Sequence, residues 1–75
     1  MGRMPYFVST MAKIITVTNT YEETPHAINV DVIATIEPYK AGAKILLKIK
    51  DDATGRYIVI NTREKFDDVM KMVNE

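Results

Sequence analysis

The stretch from Ala43 to Ile60 leaves the chain the least freedom. In Ala43-Lys44-Ile45-Leu46-Leu47-Lys48-Ile49-Lys50, branched aliphatics hold positions 45, 47 and 49 while lysines hold 44, 48 and 50. A period of two is a strand signature, because successive side chains leave opposite faces of an extended backbone. Arg56-Tyr57-Ile58-Val59-Ile60 is β-branched or aromatic at every position after its arginine and reads as a second strand. Between them, Asp51-Asp52-Ala53-Thr54-Gly55 supplies aspartates to open a turn and a glycine able to take the left-handed conformation that closes a bulged hairpin. The two strands are expected as antiparallel neighbours.

At Asn61-Thr62 the period changes. Thr62 or Asn61 is placed to cap a helix by accepting from a free first-turn N–H, and Glu64 sits where the helix dipole favours a negative charge. Phe66, Val69, Met70 and Val73 then fall at i, i+3, i+4 and i+7, which is one face of an α-helix. Asp67, Asp68, Lys71 and Asn74 lie elsewhere on the wheel, so one apolar stripe should meet the sheet.

Upstream, Lys13 to Asn19 is rich in β-branched residues and reads as a strand, and Asn19 to Pro25 as a polar loop. His26 to Tyr39 is apolar but interrupted by Asn29 and Asp31. It is expected to give a short strand at 26 to 29, a kink or single helical turn at Val30 to Ile33, and a strand from 33 to 37 that Pro38 ends. Tyr39 to Gly42 then turns the chain into the hairpin. Residues 1–10 form an N-terminal extension ahead of a second plausible start at Met11. They are expected to be loose unless Tyr6-Phe7-Val8 pairs as an arm with a sheet edge. Residues 11–75 make a single domain. The fold class is α+β, a small antiparallel β-meander of about four strands with one C-terminal α-helix packed on one face.

Bulk composition narrows the function. The chain has 75 residues, no cysteine, and ten basic residues balanced by ten acidic ones. Disulfides and cysteine-held zinc are excluded, no apolar run approaches a membrane span, and no signal peptide is recognisable, so a cytoplasmic protein is the expectation. Zero net charge removes the global sign bias that holds many proteins to nucleic acid, although local patches remain open. His26 with Glu22 and Glu23 nearby has the chemistry of a metal or proton-transfer set, but a lone histidine beside a loop is more often an edge residue. Ser9 lacks a base, the three glycines are scattered, and the pairs Asp51-Asp52 and Asp67-Asp68 read as solvated. Neither an enzyme, a cofactor nor a metal site is expected.

Ile14-Ile15, Leu46-Leu47 and Tyr57 to Ile60 put apolar residues on both faces of their strands, and one short helix covers one face. The second face calls for the arm, a curl of the sheet, or a second copy of the chain. A homo-oligomer is expected, with Ile15, Leu46, Ile58 and Ile60 as its self-association residues. A competing feature is Lys44, Lys48 and Lys50 on one side of a strand, with Arg56 across the hairpin and Tyr57 or Tyr39 near. Lysines beside an aromatic on a sheet can hold a phosphate backbone and stack a base, though lysines also simply keep a face soluble.

The segment Ile28-Asn29-Val30-Asp31-Val32-Ile33-Ala34-Thr35-Ile36-Glu37, followed by an aliphatic hairpin and short helix, resembles the FlbD-like family of small flagellar-operon proteins. That family's pattern is an initial strand, an Ile-Asn-x-Asp-x-Ile-x-x-Ile-Glu segment, a hairpin and a helix, and here it covers roughly residues 13 to 74. The same segment is similar to the first part of LytTR-type DNA-binding domains. The FlbD-like resemblance implies no catalytic residue. The expected function is a small non-enzymatic protein-interaction or regulatory module, self-associating through a sheet face and meeting an unknown protein partner without a membrane. The alternative is a nucleic-acid-binding module using Lys44, Lys48, Lys50, Arg56 and Tyr57. Contiguous Ile, Val and Leu on the outer face would favour the first, and cations grouped around a tyrosine the second.

Overall fold

The computed structural model describes residues 13–75; the arm expected at Tyr6-Phe7-Val8 lies outside them. Five strands run β1 Ile14–Thr18, β2 Pro25–Asn29, β3 Ile33–Tyr39, β4 Gly42–Lys50 and β5 Tyr57–Thr62, and helix α1 Phe66–Asn74 follows. β1 and β2 form an antiparallel pair, and β3, β4 and β5 form an antiparallel sheet with β4 at its centre. This is an α+β domain with, among the described residues, one α-helix at the C-terminal end.

The break between β2 and β3 is a 3-10 turn at Val30–Val32. The Asn29 side chain makes that corner by accepting from the Asp31 N–H at 2.8 Å, while the Val30 N–H donates to the Lys13 carbonyl at 2.9 Å. The polar residues that interrupt the aliphatic run therefore offer the backbone a local partner in place of the sheet. The β4–β5 turn follows its sequence equally closely. Gly55 has φ 71, its N–H donates to the Asp51 carbonyl at 2.7 Å, and the Asp51 carboxylate accepts from the Ala53 N–H at 2.8 Å.

One face of each sheet turns inward to a common core. Ile15 and Val17 of β1, Ile28 of β2, Ala43, Ile45 and Leu47 of β4, Ile60 of β5 and Val69 of α1 are all buried, with Val17, Ile45 and Val69 fully so. Covering of the inner face is therefore shared between the helix and the β1–β2 pair, which packs its own aliphatics into the same cluster. A seam joins the two sheets. Asn19 bridges to Thr62, the Thr20 N–H donates to the Asn61 carbonyl at 2.8 Å, and the Arg63 N–H donates to the Thr18 carbonyl at 3.0 Å.

Three local expectations are corrected. Pro38 does not end β3, which runs on to Tyr39 opposite Gly42. β3 is an edge strand, where a residue without an N–H costs no ladder bond. Neither Asn61 nor Thr62 caps α1. Thr62 is still in β5, paired with Ala43, and its hydroxyl donates to the Glu64 carbonyl at 2.8 Å; Lys65 takes the cap position with no side-chain bond. Finally, Met72 rather than Met70 joins Phe66, Val69 and Val73 against the core. The helix is rolled so that fully buried Val69 lies at the centre of its stripe, and at about 100° per residue that leaves Met70 well off axis.

The β3–β4 turn is the tightest point. A Cβ on Gly42 would collide with the Thr62 carbonyl oxygen, a backbone atom that has no room to yield. Lys40 in the same turn is held at φ 54, a region that favours glycine. Gly42→Ala is accordingly expected to destabilise the fold by about 3 kcal/mol in urea unfolding, whereas Lys40→Gly should stabilise it by about 0.5–1 kcal/mol by removing the strain.

Candidate binding face

Strand alternation decides what the outer face carries. With Ala43, Ile45 and Leu47 inward, Lys44, Leu46 and Lys48 point outward from β4. On β5 the inward set is Ile58, Ile60 and Thr62, and the outward set is Tyr57, Val59 and Asn61. The register lays out two rows across the sheet, Glu37–Lys44–Asn61 and Thr35–Leu46–Val59. Beyond them a register shift brings Lys50 opposite Tyr57.

Of the polyanion set expected from sequence, the structure pairs Lys50 with Tyr57 and places Lys44 at a different ring, that of Tyr39. The Lys50 ammonium lies 5.2 Å from the Tyr57 ring centroid, and Lys44 lies 4.8 Å from the Tyr39 ring, with Lys40 at 5.4 Å from the same ring. Lys48 is exposed between these pairs, and Arg56 is exposed at the foot of the hairpin turn. Residues 38–50 carry four lysines and no acid. The overall charge balance therefore hides a basic surface, with Glu37 the one acid in its rows.

The self-association set is corrected in three of its four members. Ile15 and Ile60 are buried, and Ile58 packs against the core. Only Leu46 faces outward. In a run such as Tyr57-Ile58-Val59-Ile60 every residue is apolar, so composition gives no parity and the partner strand decides which side is inside. The large apolar residues that are exposed, among the described residues, are Val59 at 45%, Ile49 at 46%, Tyr57 at 52%, Ile14 at 55% and Tyr21 at 79%.

Sequence reasoning missed a cleft at one end of this face. It has a volume of about 470 Å³ and lies between the β1–β2 loop, the β3–β4 turn and the end of β5. Thr20 and Tyr21 of the loop, Tyr39, Lys40 and Gly42 of the turn, and Asn61 and Arg63 line it. The loop wall is fixed by Asn19, whose side-chain oxygen accepts from the Tyr21 and Glu22 N–H groups at 2.8 and 3.1 Å. The Asn61 Oδ1 is buried and has no hydrogen-bond partner among the described residues. Nothing in an Asn-Thr pair after an aliphatic strand separates a helix cap from such a lining residue.

Glu64 clamps this end. Its carboxylate accepts from the Thr18 N–H at 2.8 Å and from the Thr18 hydroxyl at 2.9 Å, so it serves β1 rather than the helix dipole. Burial pushes its pKa up. The bonds from the Thr18 N–H, from its own N–H and from the Thr18 hydroxyl, together with the neighbouring Arg63 charge, outweigh that and hold it below the ordinary 4.5. Elsewhere, His26 Nε2 stands 3.4 Å from Glu22 Oε1 and from the Thr24 hydroxyl on an open surface. Among the described residues no three His, Asp or Glu side chains gather to hold a metal ion, and no helix is long and apolar enough to cross a membrane.

Compared with protein-family models, with curated proteins and with solved structures, the chain matches none.

Because the folded pKa of Glu64 is depressed, its contribution is fully present above the unfolded value near 4.5 and is lost as pH falls through the lower folded value. Glu64→Gln should cost about 1 kcal/mol at neutral pH, since a neutral acceptor replaces a partly exposed charged one. Urea unfolding of both proteins at pH 7 and below pH 4 checks this, with the gap between them narrowing in acid.

Proposed function

We propose that the chain is a small non-catalytic binding module whose working surface is the outer face of the β3-β4-β5 sheet, and that this face takes a single-stranded nucleic acid. The observation that carries the reading is the pair of tyrosines covered by lysines, Tyr39 under Lys44 and Tyr57 under Lys50. Each couples a flat ring to a mobile cation. A strand of nucleic acid can replace the lysine on the ring with a base while the released ammonium moves to a phosphate, which is the division of labour by which stacking platforms bind single strands. Leu46 and Val59 lie side by side between the two pairs and add apolar surface for sugar and base. The lysine-rich run from 38 to 50 supplies the field that the zero net charge conceals. The FlbD-like resemblance of Ile28 to Glu37 is compatible with this reading, because that pattern contains no catalytic residue.

The test is fluorescence anisotropy of labelled single-stranded RNA and DNA across a salt series. Binding should weaken as salt rises, and substituting Lys44, Lys48 and Lys50 together by alanine should lower the slope of log K against log salt by about 2, near 0.7 for each lost contact. Unchanged binding in that variant would sink the face as the site.

A specific observation favours a second reading, self-association through the same face. Leu46 sits beside Val59, and Val59 with neighbouring Tyr57 is about half exposed. Face-to-face packing of a second copy would cover this strip. Edge-to-edge pairing along β3 is opposed by Pro38, by Glu37 and by the bulge between Ile33 and Thr35, all of which blunt an edge strand. Sedimentation analysis over a wide concentration range distinguishes the two readings. A dimer that Leu46→Lys converts to monomer supports self-association, and a monomer throughout removes it.

A further inference from the structure

We propose that the free edge of β5 is the seat of a homodimer, in which Tyr57 to Ile60 of two copies pair antiparallel and join their three-stranded sheets into one of six strands. This contact uses the rim of the sheet and leaves the outer face open, so it stands whether or not that face takes a nucleic acid.

Three hydrogen bonds fix which way the backbone of β5 points. The Asp51 N–H donates to the Arg56 carbonyl at 2.8 Å, across the hairpin and toward β4. The Thr20 N–H donates to the Asn61 carbonyl at 2.8 Å and the Arg63 N–H to the Thr18 carbonyl at 3.0 Å, both on the side away from β4. These directions alternate along a strand, so even-numbered residues bond β4 and odd-numbered ones face the rim. The register agrees, since Leu46 pairs with Val59 and Lys50 with Tyr57, which leaves the extra residues in β4 and β5 regular. The β1–β2 loop occupies the rim from Asn61 onward. Tyr57 and Val59 therefore hold their N–H and C=O groups outward with no protein partner among the described residues, and such a row is a template for another strand.

Nothing blunts this edge. β3, on the opposite side, carries Glu37, Pro38 and a bulge, whereas Tyr57-Ile58-Val59-Ile60 has neither charge nor proline. The stretch is also its own complement. The register that uses both open residues of each copy centres on Ile58 and sets Tyr57 opposite Val59 of the second copy, and the reverse. Both are rim-facing, so each such pair exchanges two N–H···O=C bonds. Their side chains share the outer face, which puts an aromatic beside a β-branched residue twice across the axis. Charge agrees at the ends. Antiparallel pairing brings Arg56 of one copy, exposed and without an ion pair among the described residues, to the other copy's loop, where Glu22 and Glu23 outnumber Arg63. An interface this narrow makes a reversible dimer. It places two Lys50–Tyr57 pairs on the same side of one sheet.

The experiment uses the full chain, with sedimentation over a wide concentration range beside amide hydrogen exchange. The natural sequence is expected to pass from monomer to dimer as concentration rises. Exchange at Tyr57 and Val59 should slow about tenfold once roughly nine chains in ten are paired, because it then waits on the free monomer. Val59→Pro removes an N–H that β4 does not use, as Pro38 does on the β3 edge, and should abolish the dimer. Leu46→Lys, on the outer face, should keep it, and Arg56→Glu should weaken it about fivefold at low salt. Thermal melts confirm that the variants fold. A monomer at every concentration overturns the dimer. A dimer that survives in folded Val59→Pro, or is lost in folded Leu46→Lys, overturns the edge as its seat. Should Val59→Pro fail to fold, the natural chain decides: slowing with concentration at Tyr57 and Val59 supports the pairing, and rates independent of concentration overturn it. Protection already complete in the monomer gives the edge to the chain's own residues 1–12 and overturns it too.

Discussion

Everything in this domain depends on the seam where the end of β1 meets the end of β5. The Glu64 carboxylate takes two hydrogen bonds from Thr18, backbone bonds run from Thr20 to Asn61 and from Arg63 to Thr18, and Gly42 lies without a side chain against the Thr62 carbonyl. Without this knot the β1–β2 pair would be a two-stranded ribbon, which is marginal by itself in water. With it, Ile15, Val17 and Ile28 are carried onto Ile45, Ile60 and Val69, and a short chain obtains one continuous core. A charged acceptor at this position is worth more than a neutral one, because each bond to a carboxylate is stronger than its neutral counterpart.

The same knot makes the candidate site. The loop carrying Tyr21 is held beside the end of β5, and the turn carrying Tyr39 and Lys40 closes the other side, so the cleft is a by-product of the join between sheets. The residues that join the sheets and the residues that line the cleft are thereby neighbours in the chain. Thr62 is buried and its hydroxyl is hydrogen-bonded, while Asn61, one position earlier and on the opposite face, keeps a buried oxygen with no partner among the described residues. Adjacent residues of one strand serve the core and the cleft because a strand sends them to opposite sides.

The outer face shows how a balanced composition can mislead. Ten positive and ten negative residues cancel in the sum, yet residues 38–50 carry four lysines and no acid. Lysines gather on β4 and the turn before it, while Asp67 and Asp68 fall in the first turn of α1, where they complement the helix dipole. Coulomb attraction is felt by a ligand over about 8–10 Å at ordinary salt, so the local arrangement governs binding and the total does not.

The sequence by itself determined the element order, the hairpin with its glycine-closed turn, the corner at Asn29 and Asp31, and the apolar helix face around Val69. These are set by interactions within a few residues, alternation along a strand and side-chain-to-backbone bonds in a turn, and so they are written locally. It also put Lys44, Lys48 and Lys50 on one side of a strand, because strand parity is unambiguous where lysine alternates with aliphatic. Tertiary structure alone decided the rest. It chose Ile58 and Ile60 for the core and Val59 for solvent in a run where every residue is apolar, let Pro38 stand in a strand by putting that strand at an edge, and turned Glu64 from the helix to Thr18, 46 positions away in the chain. Each of those outcomes depends on which distant backbone arrives alongside, and no local pattern encodes that.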